Sequence, residues 1–150
     1  NDILLGGKKI AGILTEMNAE IDKINHIVIG VGINVNTTQA EMEDDIKDIA
    51  TSLRIESNTT VNRAGLLCDM LLELEGLYML AEREGFDAIL DEWRRMSVTL
   101  GEAVEVISVD EKYDGIAIDI DNDGALLVKT KDGINKVIAG DVSIRKKRYV

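Results

Sequence analysis

The residue pattern predicts an α+β fold in two parts, with strands and helices over residues 1–97 and a small all-β barrel over 98–150. Three observations carry this expectation. Strand-like apolar runs fill residues 1–36, and three-and-four spacing fills 39–96. Short strands with Asp/Asn/Gly turns then resume from Val98. The junction falls at 97–101, where the period changes, and no repeat or low-complexity stretch interrupts the pattern.

The runs at 3–5 and 10–16 read as a hairpin joined at Gly6-Gly7-Lys8, whose glycines supply the positive φ of a tight turn. Gly12 leaves a strand position without a side chain, the mark of a bulge or of a ligand lying on the backbone. The run 26–36 is apolar on both faces, which predicts a central strand covered on both sides. A short helix is expected over 40–53, with Met42, Ile46, Ile49, Ala50 and Leu53 on one face and the acidic run 41–45 solvated on the other. A longer helix runs from an N-cap at Asn62 to Gly85 and turns Leu66, Leu67, Met70, Leu71, Leu74, Leu77, Tyr78 and Ala81 toward a core. A third, over 86–96, offers Phe86, Ile89, Leu90, Trp93 and Met96. Strands at 102–109, 115–120, 125–131 and 134–139 follow, close together and without a helix, as in a small barrel.

Composition narrows the function classes. A net charge of −11 argues against a nucleic-acid surface, and the basic cluster at 145–148 reads as a solvated end. The single Cys68 excludes an internal disulfide or a cysteine-based zinc site, fits a reducing cytoplasm and reads as a core thiol. No apolar run is long enough for a membrane span, and no signal peptide is visible. The start without Met and the absence of proline lead us to expect a piece of a longer protein.

Few residues carry chemistry. Lys9 is either an edge-strand lysine that discourages aggregation or an ammonium aimed at a ligand beside the glycines. Gly30-Val31-Gly32-Ile33-Asn34 fails as a dinucleotide fingerprint, because Val35 stands where a third glycine is required. Alone, it reads as a buried strand with glycines for close packing. The run Asp119-Ile120-Asp121-Asn122-Asp123-Gly124 opens like a calcium loop, but Thr130 replaces the closing glutamate and no flanking helices are expected, so it reads as a hairpin turn. His26 is the only histidine and has no partner for a triad or metal site.

Taken together, Asn1-Asp2 with Lys8-Lys9-Ile10-Ala11-Gly12-Ile13-Leu14-Thr15-Glu16, the run Gly30-Val31-Gly32-Ile33-Asn34-Val35-Asn36, and Ile46-Lys47-Asp48-Ile49-Ala50-Thr51-Ser52-Leu53 resemble motifs of the biotin protein ligases. So do Gly85-Phe86 with Trp93, the 115–128 segment, and Ala139-Gly140-Asp141-Val142-Ser143-Ile144-Arg145, where Asp141 replaces a usual glutamate. The resemblance covers nearly the whole chain. It implies the C-terminal half of a class II synthetase-like mixed sheet with helices, followed by an SH3-like barrel. The Gly-Arg-rich loop and the remaining strands of that catalytic domain would lie upstream, so the chain alone is not expected to ligate biotin.

The reaction implied is ATP-dependent biotinylation of a lysine on a biotin carboxyl-carrier protein, through a biotinyl-adenylate, with Mg2+ accompanying ATP. In that likeness Lys9 bridges the biotin carboxylate and the ATP α-phosphate, and Asp2 orients or deprotonates the incoming amine. Lys9, Gly12, Ile13 and Gly30 would contact biotin. Asn1, Gly32, Asn34, Ile46, Ala50 and Arg145 would contact the adenylate. No metal-ligating side chains, nucleic acid or membrane are implied for this segment, and strand edges around 15–25 suit a homodimer as in some members. Two alternatives stay open: a non-enzymatic interaction module on a degenerate ligase scaffold, and a lipoate ligase relative, although the latter family lacks this combination of motifs.

Overall fold

Gly6 and Gly7 adopt φ of 59° and 81°, so the two-residue turn matches the twist of the strands it joins. The turn closes β1 (Asp2–Leu5) onto β2 (Lys8–Glu20), and β3 (Lys23–Ile33) adds antiparallel to β2. The computed structural model describes residues 1–20, 23–108, 111–138 and 143–146, without side chains for 17–20, 23–25 and 143–146. These residues form an α+β fold with two sheets, and the chain divides inside its long helix into compact units of residues 1–71 and 72–150.

In the first unit, nothing among the described residues of this chain covers both faces of β3 in the way its composition leads one to expect. Among the described residues it pairs with β2 alone, and Ile27, Val28, Ile29 and Val31 are 51%, 52%, 60% and 45% exposed. Apolar character on both faces states what a strand tolerates, while its neighbours come from the rest of the fold.

The helix expected over 40–53 does not form. Gln39–Glu41 make one 3-10 turn, in which the Glu41 carboxylate accepts the Thr38 N–H at 2.8 Å and the Thr38 hydroxyl at 2.7 Å. Residues 44–49 form turns, and Ala50 makes an isolated parallel bridge with Lys9. The Lys9 N–H donates to Ile49 O at 2.8 Å, and the Thr51 N–H donates to Lys9 O at 2.9 Å. A helical backbone would turn these groups inward, so pairing with β2 overrides the three-and-four spacing. The acidic run is exposed, but on turns rather than on a helix face. Only after Ser52 does α1 (Leu53–Ser57) begin, with the Ser52 hydroxyl oxygen accepting the Ile55 N–H at 3.1 Å.

The long helix α2 (Arg63–Glu84) has the expected ends. Asn62 Oδ1 accepts the N–H groups of Ala64 and Gly65 at 3.1 and 3.2 Å, and Gly85 stops the helix at φ 82°. Its apolar stripe is not a core face: Leu67, Leu71, Leu74, Leu77 and Tyr78 are exposed, and so is Cys68, which is no buried thiol. Spacing defines a stripe on a helix, and within this chain most of it stays exposed, with Leu66, Met70 and Ala81 partly covered. The helix α3 (Asp87–Met96) then leads into the second sheet.

That sheet holds β4 (Ala103–Ile107), β5 (Lys112–Ile120), β6 (Leu126–Lys129), β7 (Ile134–Val137) and β8 (Ser143–Lys146) in the antiparallel order β7-β6-β5-β4-β8. No β7–β8 pairing closes it among the described residues. Val104, Val106, Ala117 and Val128 make its core, packed by Leu100, Tyr113, Leu126 and Val137. Part of the expected solvated basic end is strand, since Arg145 and Lys146 pair with Glu105 and Val104. The β5–β6 turn is an Asx turn: Asp121 Oδ1 accepts the N–H groups of Asp123 and Ala125 at 3.0 and 2.9 Å, and its Oδ2 lies 2.6 Å from Lys136 Nζ. The Arg94 guanidinium joins α3 to β5, donating to Asp119 Oδ1 at 2.7 Å and to Ile120 O at 2.9 Å, and it reaches Asp91 Oδ1 within α3 at 2.7 Å.

Two outcomes follow. A methyl at Gly115 would run into the core Val128 side chain and lie 2.8 Å from the carbonyl oxygen of Lys129. Gly115→Ala should therefore destabilise the protein by roughly 1–3 kcal/mol in a urea melt. The Arg94 hydrogen bond holds the Asp119 carboxyl below its ordinary 3.8, and the Lys136 hydrogen bond does the same to Asp121. A depressed folded pKa means stabilisation that is complete above the unfolded value and is lost as pH falls through the folded one. The difference in Tm between wild type and Asp119→Asn should be largest near neutrality and shrink below about pH 4.

Candidate functional site

The register of the first sheet sets up a cleft. Asp2 lies opposite Gly12, which lies opposite Gly32, so one row crosses all three strands with a single side chain on it. In the next row Leu14 faces Gly30. Neither Gly30 nor Gly32 has positive φ, and a methyl at either would meet nothing nearer than a backbone oxygen at 3.7 or 4.0 Å. Packing does not require these two glycines. What they provide is a floor of bare backbone.

A bulge brings Lys9 over that floor. Leu4 pairs with Lys9 while its neighbour Ile3 pairs with Ala11, so Ile10 is the extra residue of β2. In a regular strand Lys9 and Gly12 would point to opposite faces. The bulge reverses the alternation and puts them on the same one, with Ile10 and Ala11 buried beneath. The Lys9 side chain crosses Gly12, where a methyl would lie 3.2 Å from both Cε and Nζ, and ends 2.6 Å from Asp2 Oδ1. Both partners are about half exposed, at 47% and 49%, so water screens the pair and an anionic ligand can replace the carboxylate.

An open cleft of about 500 Å³ brings together seven of the residues expected from the sequence: Asn1, Asp2, Lys9, Gly12, Ile13, Gly30 and Gly32. The Asn1 carbonyl is fixed by accepting the Ile13 N–H at 2.8 Å. Leu14 and Val31 also line the cleft. Sequence reasoning missed them, although their places beside the glycines were a usable signal.

The other expected residues lie outside the cleft. Asn34, just past β3, gives one Nδ2 hydrogen to Thr51 O at 3.1 Å, and because a carbonyl can only accept, the partner fixes the amide's orientation. Among the described residues no other side-chain hydrogen bond is made by Asn34, which leaves Oδ1 and the second N–H for a ligand. Ala50 touches the site through its backbone bridge to Lys9, while Ile46 sits in the 44–49 turns, 37% exposed. Arg145 belongs to the second unit, its backbone paired with Glu105 and its side chain outside the described residues. Asp141 likewise lies outside them.

Chemically, the cleft offers one ammonium, one exchangeable carboxylate and a flat backbone surface, which suits an elongated ligand carrying negative charge. Among the described residues no three His, Cys, Asp or Glu side chains stand close enough to hold a metal ion.

Residues 1–34 match the model of the biotin/lipoate A/B protein ligase family, and residues 99–145 match that of the biotin protein ligase C-terminal domain. The bifunctional ligase/repressor BirA of Bacillus spizizenii is 39% identical over 144 residues, which is 96% of this chain and 44% of that protein. The apo structure of biotin protein ligase from Aquifex aeolicus superposes with a TM-score of 0.84 at 26% identity, over 98% of this chain and 63% of that one. The same enzyme in complex with biotin and ATP gives 0.81 at 27% identity, over 98% and 60%. The chain thus spans less than half the length of this curated relative. From its first strands to its last, the chain is similar to the C-terminal region of the biotin protein ligases.

Proposed function

We propose that the protein containing this chain joins biotin to a lysine of a biotin carboxyl-carrier protein, in the cytoplasm, at the expense of ATP. The carboxylate of biotin attacks the α-phosphate of ATP, forming biotinyl-adenylate and releasing pyrophosphate. The acceptor amine then attacks the mixed anhydride, forming an amide and releasing AMP. The observation that carries this reading is Lys9, held by the bulge above the side-chain-free floor of Gly12 and Gly32.

The chemistry follows from that arrangement. Adenylation brings two anions together and spreads charge in the transition state, so a fixed cation lowers its barrier. Lys9 supplies that cation, with Gly12, Ile13 and Gly30 taking biotin and Asn1, Gly32, Asn34, Ile46 and Ala50 facing the adenylate. The arriving anions displace Asp2 from Lys9, which frees its carboxylate to orient or deprotonate the acceptor amine. Mg2+ would come with the ATP phosphates, since the described residues offer no cluster to fix it. The change of residue pattern at 97/98 is the proposed functional boundary between catalytic and C-terminal domains.

In the full-length protein, Lys9→Ala should slow single-turnover adenylate formation by about 10²–10³-fold while weakening biotin binding far less. Unchanged adenylation in that variant would overturn the assignment. Gly12→Ala should leave Tm within about 2 °C, because only the flexible end of Lys9 has to give way. Adenylation in this variant should still fall by about tenfold, as the ammonium is pushed off its line.

A further inference from the structure

Thr51 and Ser52 are the buried polar residues of the described chain, 1% and 0% exposed. Burying hydroxyls is unfavourable unless each finds a partner, and both do. The Ser52 hydroxyl donates to Thr37 O at 2.6 Å, and the Thr51 hydroxyl donates to Glu56 Oε1 at 2.6 Å. Thr51 is engaged at every polar group. Its N–H holds Lys9 O at 2.9 Å, its carbonyl accepts the Asn34 amide at 3.1 Å, and its hydroxyl reaches α1 through Glu56. The residue thereby joins three pieces that lie far apart in sequence: β2 at Lys9, the end of β3 at Asn34, and α1.

We infer that the Thr51–Glu56 hydrogen bond is a latch that seats residues 46–50 against β2, making Thr51 and Glu56 positioning residues for the nucleotide. This rests on the ligase reading above, in which Ile46 and Ala50 face the adenylate. Neither Thr51 nor Glu56 lines the cleft, so both act through the backbone they hold. Lys9 is also held by its ladder to β1, independently of the latch. Loosening the latch therefore frees the nucleotide wall while leaving the biotin side of the site in place.

The test uses the full-length protein with Thr51→Val, Thr51→Ser, Glu56→Ala and the Thr51→Val/Glu56→Ala pair. Steady-state pyrophosphate release gives KM for ATP and for biotin, and amide hydrogen exchange reads Lys9 and Thr51. Thr51→Val and Glu56→Ala should each raise KM for ATP about tenfold and leave KM for biotin within about twofold. The pair should be no worse than either single change, and Thr51→Ser should stay within about threefold of wild type, because it keeps the hydroxyl. Exchange at Lys9 and Thr51 should accelerate in Thr51→Val. Equal rises in both KM values, additive effects in the pair, or unchanged exchange in Thr51→Val would each overturn the latch. A wild-type protein that turns over no ATP with biotin would instead overturn the ligase reading and the nucleotide role with it, while the exchange data still judge the latch.

Discussion

Much of the first unit depends on how the main chain of Lys9 is held. On one side it pairs with Leu4 in the hairpin, and on the other its N–H and carbonyl are taken by Ile49 and Thr51. One residue is therefore bracketed between two segments, with the Ile10 bulge beside it. Main-chain bonds of this kind leave the backbone little freedom, so the ammonium moves only through its own side-chain torsions. A loop lysine would have to be ordered when the ligand arrives, at an entropic cost that this arrangement meets during folding.

The two units reach their stability differently. The C-terminal sheet has a compact aliphatic core in which Val104, Ala117 and Val128 are fully buried. The first unit buries Ile10, Ala11, Met42 and Ala50 together with two hydroxyl residues, and much of its order comes from specific hydrogen bonds between β2, the end of β3 and 49–54. Directional bonds fix geometry more narrowly than apolar contact does, which suits a segment that has to align a reactive cation. It also makes this unit sensitive to the loss of single polar groups, because a buried partner left unsatisfied costs more than the bond itself contributes.

The Lys9–Asp2 pair shows why exposure matters at such a site. A fully buried pair would resist opening, since each charge left behind would be stranded in a medium of low dielectric. At about half exposure the two charges are screened and the contact can be exchanged for another. A cation poised to accept an anion needs that compromise between being held and being available.

Local pattern alone was enough for the strands of both sheets other than β8, the Gly6-Gly7 turn, both ends of α2, the hairpin turn at Asp121 and the resemblance to the biotin protein ligases. Each of these is set by residues close together in sequence, through φ preferences, capping or alternation. Gly12, Gly30 and Gly32 were legible as places where side chains are missing, and Lys9 as a cation beside them. Tertiary structure decided the rest. The spacing over 40–53 read as a helix because periodicity counts only local neighbours, whereas Lys9, some forty positions earlier, draws the backbone at 49–51 into an extended bridge. The faces of β3 and α2 that stay exposed within this chain follow the same rule: an apolar residue declares what it can pack against, and only the assembled protein determines whether anything does. The row Asp2–Gly12–Gly32, the bulge that turns Lys9 over it, and the role of Thr51 depend on register between strands, which no single segment of the sequence contains.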